Sequence, residues 1–308
     1  MPIPDYQTLM LPVLRSVADE REHRVSAIIE TLASEFGLSD GERQELLPSG
    51  RQSTFSNRVH WAKTYLSQAG LLAPTRRAHF KITARGISAL QAGPQRIDVA
   101  YLLQFPEFVA FRERAKTDGT RQATAEDLAP ITVAQTPDEV LSDTIRQIET
   151  TLRSELLDRI LGAPPRFFES VIVALLLAMG YGGSRQDAGQ VIGRSGDGGL
   201  DGVIDQDALG LDRVYIQAKR YAVANAVSEP EVRAFSGSLG AAKASKGIFV
   251  TTSYFTQPAI LFAEKHPFRI VLIDGEQLTG LMVAHNVGAR IDQTFHIKKV
   301  DEDFFSPE

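Results

Sequence analysis

The sequence predicts a mixed α/β chain, α+β in overall arrangement. A small helical N-terminal domain closed by a β-ribbon is followed by a linker and by a C-terminal mixed sheet flanked by helices. Three observations carry this. Helix-period apolar stripes dominate the first seventy residues. A proline-marked stretch with a run of small and polar residues follows at 94–136. From Ala163 onward, short apolar strands alternate with helices.

In the first domain, residues 1–93, Asp5 is placed to cap a helix over 6–18, and a second helix over Val25–Phe36 stops at Gly37. The third helix is the clearest. Phe55, Val59, Ala62, Leu66 and Ala69 recur every three or four residues, Ser53 or Thr54 can cap it, and Gly70 ends it. The opposite face carries Asn57, His60, Trp61, Thr64 and Gln68, with Lys63 on a flank. Then LLAPTRRAHFKI alternates as a hairpin whose tip holds Arg76 and Arg77, with Lys81 on its return strand.

Three helices and a basic hairpin form the pattern of a winged helix-turn-helix domain, in which the third helix enters the major groove and the wing meets the backbone. Charge points the same way. The chain carries a net −5, yet residues 50–97 hold eight Lys or Arg and no Asp or Glu. Such a block is an electropositive surface for phosphates. The candidate DNA contacts are Asn57, Arg58, His60, Trp61, Lys63, Thr64, Arg76, Arg77 and Lys81. Trp61 is equally placed to pack inward.

Residues 94–162 are read as a linker ending in a long amphipathic helix from Pro137, with Val140, Leu141, Ile145, Ile148, Leu152, Leu156 and Ile160 as its apolar positions. In the domain spanning 163–308 the expected order is α-β-β-β-α-β-α-β-α. Helices are expected at 166–179, 229–245, 257–265 and 276–285, and strands at 189–194, 199–205, 214–220, 247–252 and 269–273, the last two buried.

The absence of cysteine removes disulfide frameworks, thiolate-ligated metals and thiol nucleophiles. The longest apolar run, Val171–Met179, is about half a membrane span, and the N-terminus has no secretory pattern, so the expectation is a cytoplasmic protein. No GxxxxGK[ST] stretch is present, so no NTP is expected. The glycine cluster at 193, 196, 198, 199 and 202 leads into strands rather than a helix, unlike a dinucleotide loop.

The chemistry sits in GDGGLDGVI, with Asp201, and VYIQAKRY, with Gln217 and Lys219. Strand alternation puts Gln217 and Lys219 on one face, and an antiparallel neighbour brings Asp201 beside them. A carboxylate, an amide oxygen and an ammonium suit a divalent ion with a charged neighbour for phosphodiester hydrolysis. Asp197 and Asp205 are minor candidates. Thr251, Thr252 and Ser253 either touch phosphate or finish a strand, Arg220 and Tyr221 could meet the DNA backbone, and Asp274-Gly275 is read as a turn.

Asp…Gln-x-Lys after an αβββ start resembles the PD-(D/E)xK nuclease superfamily. The text FFES…GYGG…GDGGLDGVI…VYIQAKRY…GIFVTT…LIDGEQL, with FSNRVHWAKTYLSQAGLL upstream, resembles the Mrr-type (type IV) restriction endonucleases over nearly the whole chain. The resemblance implies that Asp201 is the central metal ligand and Lys219 the catalytic lysine. It puts Gln217 where the wider superfamily has an acid, and makes the Ala218 carbonyl and Glu169 further ligands. It implies a Mg²⁺- or Mn²⁺-dependent endonuclease acting on double-stranded, methylated foreign DNA as a homo-oligomer. The alternatives are a repair or junction-processing nuclease, and a DNA-binding regulator with an inactive core.

Overall fold

The computed structural model describes residues 2–48, 50, 52–117, 135–182, 189–191, 200–206, 212–301 and 304. It divides into two units, Met1–Arg146 with Ile297–Glu308, and Gln147–His296. Among the described residues no helix is long and apolar enough to cross a membrane.

The first unit contains α1 (Tyr6–Arg15), β1 (His23–Arg24), α2 (Val25–Glu35), α3 (Asp40–Gln44), α4 (Thr54–Gln68), β2 (Leu72–Pro74), β3 (His79–Ile82), α5 (Ala84–Gln91), α6 (Val99–Leu102) and α7 (Pro106–Thr117). The Asp5 carboxylate accepts from the Gln7 and Thr8 amides, and the Ser53 hydroxyl from Ser56, so α1 and α4 begin at the caps the sequence names. Gly70, at φ +71°, turns the chain out of α4 in a conformation that L side chains resist. β2 and β3 pair antiparallel with Leu72 opposite Ile82, and β1 adds on the far side of β3. The apolar stripe of α4 (Phe55, Val59, Ala62 and Leu66) is buried with Leu9, Met10, Leu14, Leu32 and Phe80.

Two features of this unit depart from expectation. A two-residue strand and the short capping-box helix α3 interrupt the helical run. Residues 94–117, read as linker, fold onto the first unit, because Ile97, Val99, Leu102 and Phe108 are buried in its core. Proline spacing marked breaks between short helices there rather than a free connection.

α8 (Pro137–Gly162) begins in the first unit and ends in the second. The second unit continues with α9 (Pro165–Ala178), β4 (Gly189–Val191), β5 (Gly202–Asp205), β6 (Arg213–Lys219), α10 (Glu229–Ala241), β7 (Lys246–Thr251), α11 (Gln257–Lys265), β8 (Arg269–Ile273) and α12 (Gly275–Ala284). This is the element order the sequence predicts. The sheet runs β4-β5-β6-β7-β8, antiparallel through β6 and parallel from β6 to β8.

Alternating side chains send the two faces of the sheet to different cores. Ile204, Ile216, Ile248 and Val250 pack with Phe168, Ile172 and Leu175 of α9, with Leu278 and Met282 of α12, and with Leu156 and Ile160 of α8. Phe249 packs on the other face with Val232, Phe235 and Leu239 of α10 and Ala259 and Ala263 of α11. β7 is buried as expected. β8 is not: it is the sheet edge, and Arg269 and Val271 are exposed. An unbroken apolar run does not distinguish an edge strand from a central one.

Candidate active site and nucleic-acid interface

Register builds the first site. Gly202 pairs with Ile216 across β5 and β6, so Asp201 stands opposite Gln217, and the Asp201 amide donates to the Ile216 carbonyl at 2.8 Å. The Asp201 carboxylate accepts through Oδ2 from Gln217 Nε2 at 2.9 Å and from the Ala218 amide at 2.7 Å. Gln217 is buried, while Asp201, Ala218 and Lys219 are half-buried at the end of β6. Lys219 forms no ion pair among the described residues and lies two residues beyond Gln217 on the same strand face.

Glu169 comes from α9. It sits one turn into α9, whose position is fixed by Phe168 and Ile172 in the core. Its carboxyl holds a proton more tightly than an ordinary glutamate. Removal from water and the negative charge of Asp201 both raise its pKa, against the pull of Arg166.

Among the described residues no three His, Cys, Asp or Glu side chains cluster as a metal-binding group. A divalent ion here would be met by two carboxylates, an amide and the Ala218 carbonyl. These are hard oxygen donors suited to Mg²⁺ or Mn²⁺, and a cation would relieve the repulsion between Glu169 and Asp201. The set fits such an ion.

The surroundings reassign several sequence candidates. Arg220 does not project outward: its Nη1 donates to the Leu161 carbonyl at 3.1 Å and to the Ala163 carbonyl. The Tyr221 hydroxyl donates to Glu231 at 2.7 Å. Thr251 and Thr252 are buried and hold the end of β6. The Thr251 hydroxyl donates to the Lys219 carbonyl, and the Thr252 hydroxyl both donates to the Tyr221 carbonyl and accepts from its amide. Asp205 pairs with Arg213 at 3.4 Å on the exposed side. Asp274 caps α12, accepting from the Gln277 amide. Asp197 and glycines 193, 196, 198 and 199 lie outside the described residues.

Spacing gave no signal for the bracing roles of Arg220, Thr251 and Thr252. Only the polar run after a buried strand hinted at Thr251 and Thr252.

The face of α4 expected to be open is divided. Asn57 is 1% exposed. Its Nδ2 donates to Asp138 at 2.7 Å, and its Oδ1 accepts from the Thr136 hydroxyl at 2.7 Å. Arg58 donates to Glu139 through Nε at 2.9 Å and to the Ile3 and Pro4 carbonyls. Trp61 packs edge-on against Tyr65, and its Nε1 donates to Asp138 at 3.0 Å. These three side chains face chain rather than a groove. The physical reason is that residues 136–139 supply two carboxylates and a hydroxyl that satisfy them.

The remaining candidates are arranged differently. His60 is exposed, and Lys63 and Thr64 are half-buried, with Lys63 5.9 Å from the Phe80 ring centre and the Thr64 hydroxyl bonded to the His60 carbonyl. On the hairpin Arg76, Arg77 and Lys81 are exposed, and Arg76 meets Glu22 at 3.0 Å.

Comparison with known proteins agrees with this architecture. Residues 6–92 match the family described as Mrr N-terminal domain, and residues 160–282 the family Mrr_cat, described as Restriction endonuclease. The chain is 35% identical over 311 residues to the Type IV methyl-directed restriction enzyme EcoKMrr of Escherichia coli (strain K12), covering 99% of this chain and 100% of the relative. Among solved structures it is similar to the DNA modification-dependent restriction endonuclease AspBHI, at 18% identity and TM-score 0.37 over 71% of this chain and 56% of that one. It is also similar to the MspJI restriction endonuclease in complex with a 27-mer oligonucleotide, at 20% identity and TM-score 0.29 over 68% and 44%. With a full-length relative at that identity, and with Asp201 just before β5 set against Gln217 and Lys219 of β6, the chain belongs to the Mrr-type family of restriction endonucleases and is a DNA endonuclease.

Proposed function

We propose that this endonuclease hydrolyses phosphodiesters of duplex DNA with Mg²⁺ or Mn²⁺ and restricts foreign DNA that carries methylated bases. The observation that carries the chemical part is the register of β5 on β6. It sets Asp201 against Gln217, with Lys219 on the same face.

In this reading Asp201, Glu169, the Gln217 amide and the Ala218 carbonyl hold the ion, and Lys219 orients the attacking water and balances charge developing on the phosphate. The bound ion supplies charge neutralisation at the scissile group and a lowered pKa for water. A neutral amide in place of an acid leaves the donor set one negative charge poorer, so tight ion binding depends more on the DNA phosphate. Thr251 and Thr252 keep the Lys219 backbone fixed while this happens.

The first unit holds the duplex. His60, Lys63 and Thr64 of α4 and Arg76, Arg77 and Lys81 of the hairpin are its contacts. Asn57, Arg58 and Trp61, expected to join them, anchor residues 136–139 instead. One site cuts one strand, so a double-strand break calls for two copies. The family relationship supports the preference for methylated DNA, as the E. coli relative is a methyl-directed enzyme.

The test is cleavage of three substrates matched in sequence: methylated duplex, unmethylated duplex and a branched junction. Preference for the methylated duplex supports restriction. Preference for the junction would replace it with repair processing, and salt-sensitive binding without any cutting would leave a regulator.

A further inference from the structure

Arg220 follows Lys219 directly, yet its side chain is committed to the other side of the site. Its Nη1 donates to the Leu161 and Ala163 carbonyls, on either side of Gly162, where α8 ends. The last carbonyls of a helix have no intrahelical donor, and an arginine N–H satisfies one of them here. Two residues later Pro165 opens α9, and one turn further stands Glu169. Arg220 therefore joins the end of the strand bearing Gln217 and Lys219 to the turn from which Glu169 is launched.

The strand end is itself immobilised from β7. Thr251 holds the Lys219 carbonyl at 2.8 Å, and Thr252 holds Tyr221 through its amide at 2.9 Å and its carbonyl at 2.6 Å. With residues 219 and 221 pinned, Arg220 transmits a fixed position and not a loose one. All the groups involved lie within the second unit.

We propose that Arg220 is a positioning residue for ion binding: it sets the start of α9 so that the Glu169 carboxylate confronts that of Asp201. The proposal rests on the reading of Asp201 and Glu169 as ligands of a divalent ion. It differs from a DNA-contacting role, which the sequence alone also allowed.

Mn²⁺ binding to the full-length protein without DNA, followed by titration calorimetry, tests it. The variants are Arg220→Ala, Arg220→Lys, Glu169→Gln, Asp201→Ala and the double variant R220A/E169Q. Arg220→Ala is expected to weaken Mn²⁺ binding about tenfold, the scale of losses when a group supporting a metal ligand is removed. Arg220→Lys should recover part of the loss, because an ammonium can reach one carbonyl but lacks the fork. The double variant should bind no more weakly than Glu169→Gln alone, since two changes acting through one ligand are not additive.

Wild-type Mn²⁺ affinity in Arg220→Ala, with weaker DNA binding instead, would overturn the proposal in favour of a phosphate contact. Fully additive losses would overturn it in favour of a role in the fold alone. Should Arg220→Ala fail to fold, Arg220→Lys takes its place in the cycle, and an unchanged Mn²⁺ affinity there also overturns the proposal. Glu169→Gln and Asp201→Ala separate the two levels. If both weaken Mn²⁺ binding and the Arg220 variants do not, only the positioning role fails. If neither does, the ligand reading falls and the positioning role falls with it.

Discussion

Arg58 and Glu139, 81 residues apart in the chain, form an ion pair at 2.8 Å with 17% and 9% of their side chains exposed. The pair is fully elaborated. Glu139 also accepts from the Thr136 amide at 2.7 Å, and Arg58 also donates to Ile3 and Pro4. The start of α8 is thereby fixed to α4 within the first unit, and the polar side of α4 loses three of its presumed DNA contacts.

Removing one partner of a buried pair leaves the other charge uncompensated. Glu139→Ala should therefore lower the unfolding free energy of the first unit by about 3 kcal/mol. The double variant R58M/E139L should recover most of that. Denaturant melts of the three proteins check this, and an unchanged midpoint in Glu139→Ala would mean the pair contributes nothing net.

The hairpin arginines lead to a different readout. Arg76 and Arg77 are exposed, so their loss should leave the melting temperature unchanged. If both reach phosphates, R76A/R77A should reduce the slope of log affinity against log salt by roughly 2, at about 0.9 per neutralised phosphate. Asn57→Ala should do the reverse, costing stability and leaving the slope alone. Binding isotherms across a salt series measure both.

Gly275 opens α12 against the end of β7, and a Cβ there would lie 2.6 Å from the Thr252 carbonyl oxygen. That oxygen is backbone and cannot swing aside. Gly275→Ala should destabilise the second unit by about 1–3 kcal/mol, the usual range for overpacking. Because Thr252 holds Tyr221, the same change should slow cleavage more than it weakens DNA binding. Comparing rate under saturating DNA with affinity decides it.

Glu231 gives a pH signature. Against the cost of its burial, the Ser228 amide, the Tyr221 and Ser228 hydroxyls and the Lys219 charge hold its carboxyl below the ordinary glutamate value. A carboxyl with a depressed folded-state pKa stabilises the fold above its unfolded value, and that contribution fades as pH falls through the folded one. Wild type should thus exceed Glu231→Gln in stability at neutral pH, and the gap should close in acid. A gap that widens on acidification would contradict this.

Periodicity and caps carried much of the fold. The order of elements in the second unit, the caps at Asp5 and Ser53, and the pairing of Asp201 with Gln217 all follow from local pattern. What stayed hidden depends on distant chain. A polar helix face reads as solvent-facing, and nothing in residues 54–68 announces that Thr136, Asp138 and Glu139 will cover it. Prolines at 94 and 106 suggested a linker, whereas Val99, Leu102 and Phe108 bury into the core. Arg220 beside Lys219 reads as a phosphate contact until the carbonyls of Leu161 and Ala163 are seen to occupy it.

The proposed function makes the facing pair Asp201 and Gln217, with Lys219 beside them, a metal-dependent nuclease centre. Cleavage of methylated supercoiled plasmid by wild type, Asp201→Ala and Lys219→Ala, each with Mg²⁺ and with EDTA, tests it most directly. Wild type should cut with Mg²⁺ and stop in EDTA. Both variants should lose at least about 10²-fold in rate while keeping wild-type DNA affinity. Cutting by Asp201→Ala at the wild-type rate, or by wild type in EDTA, would rule out a metal-dependent centre at Asp201.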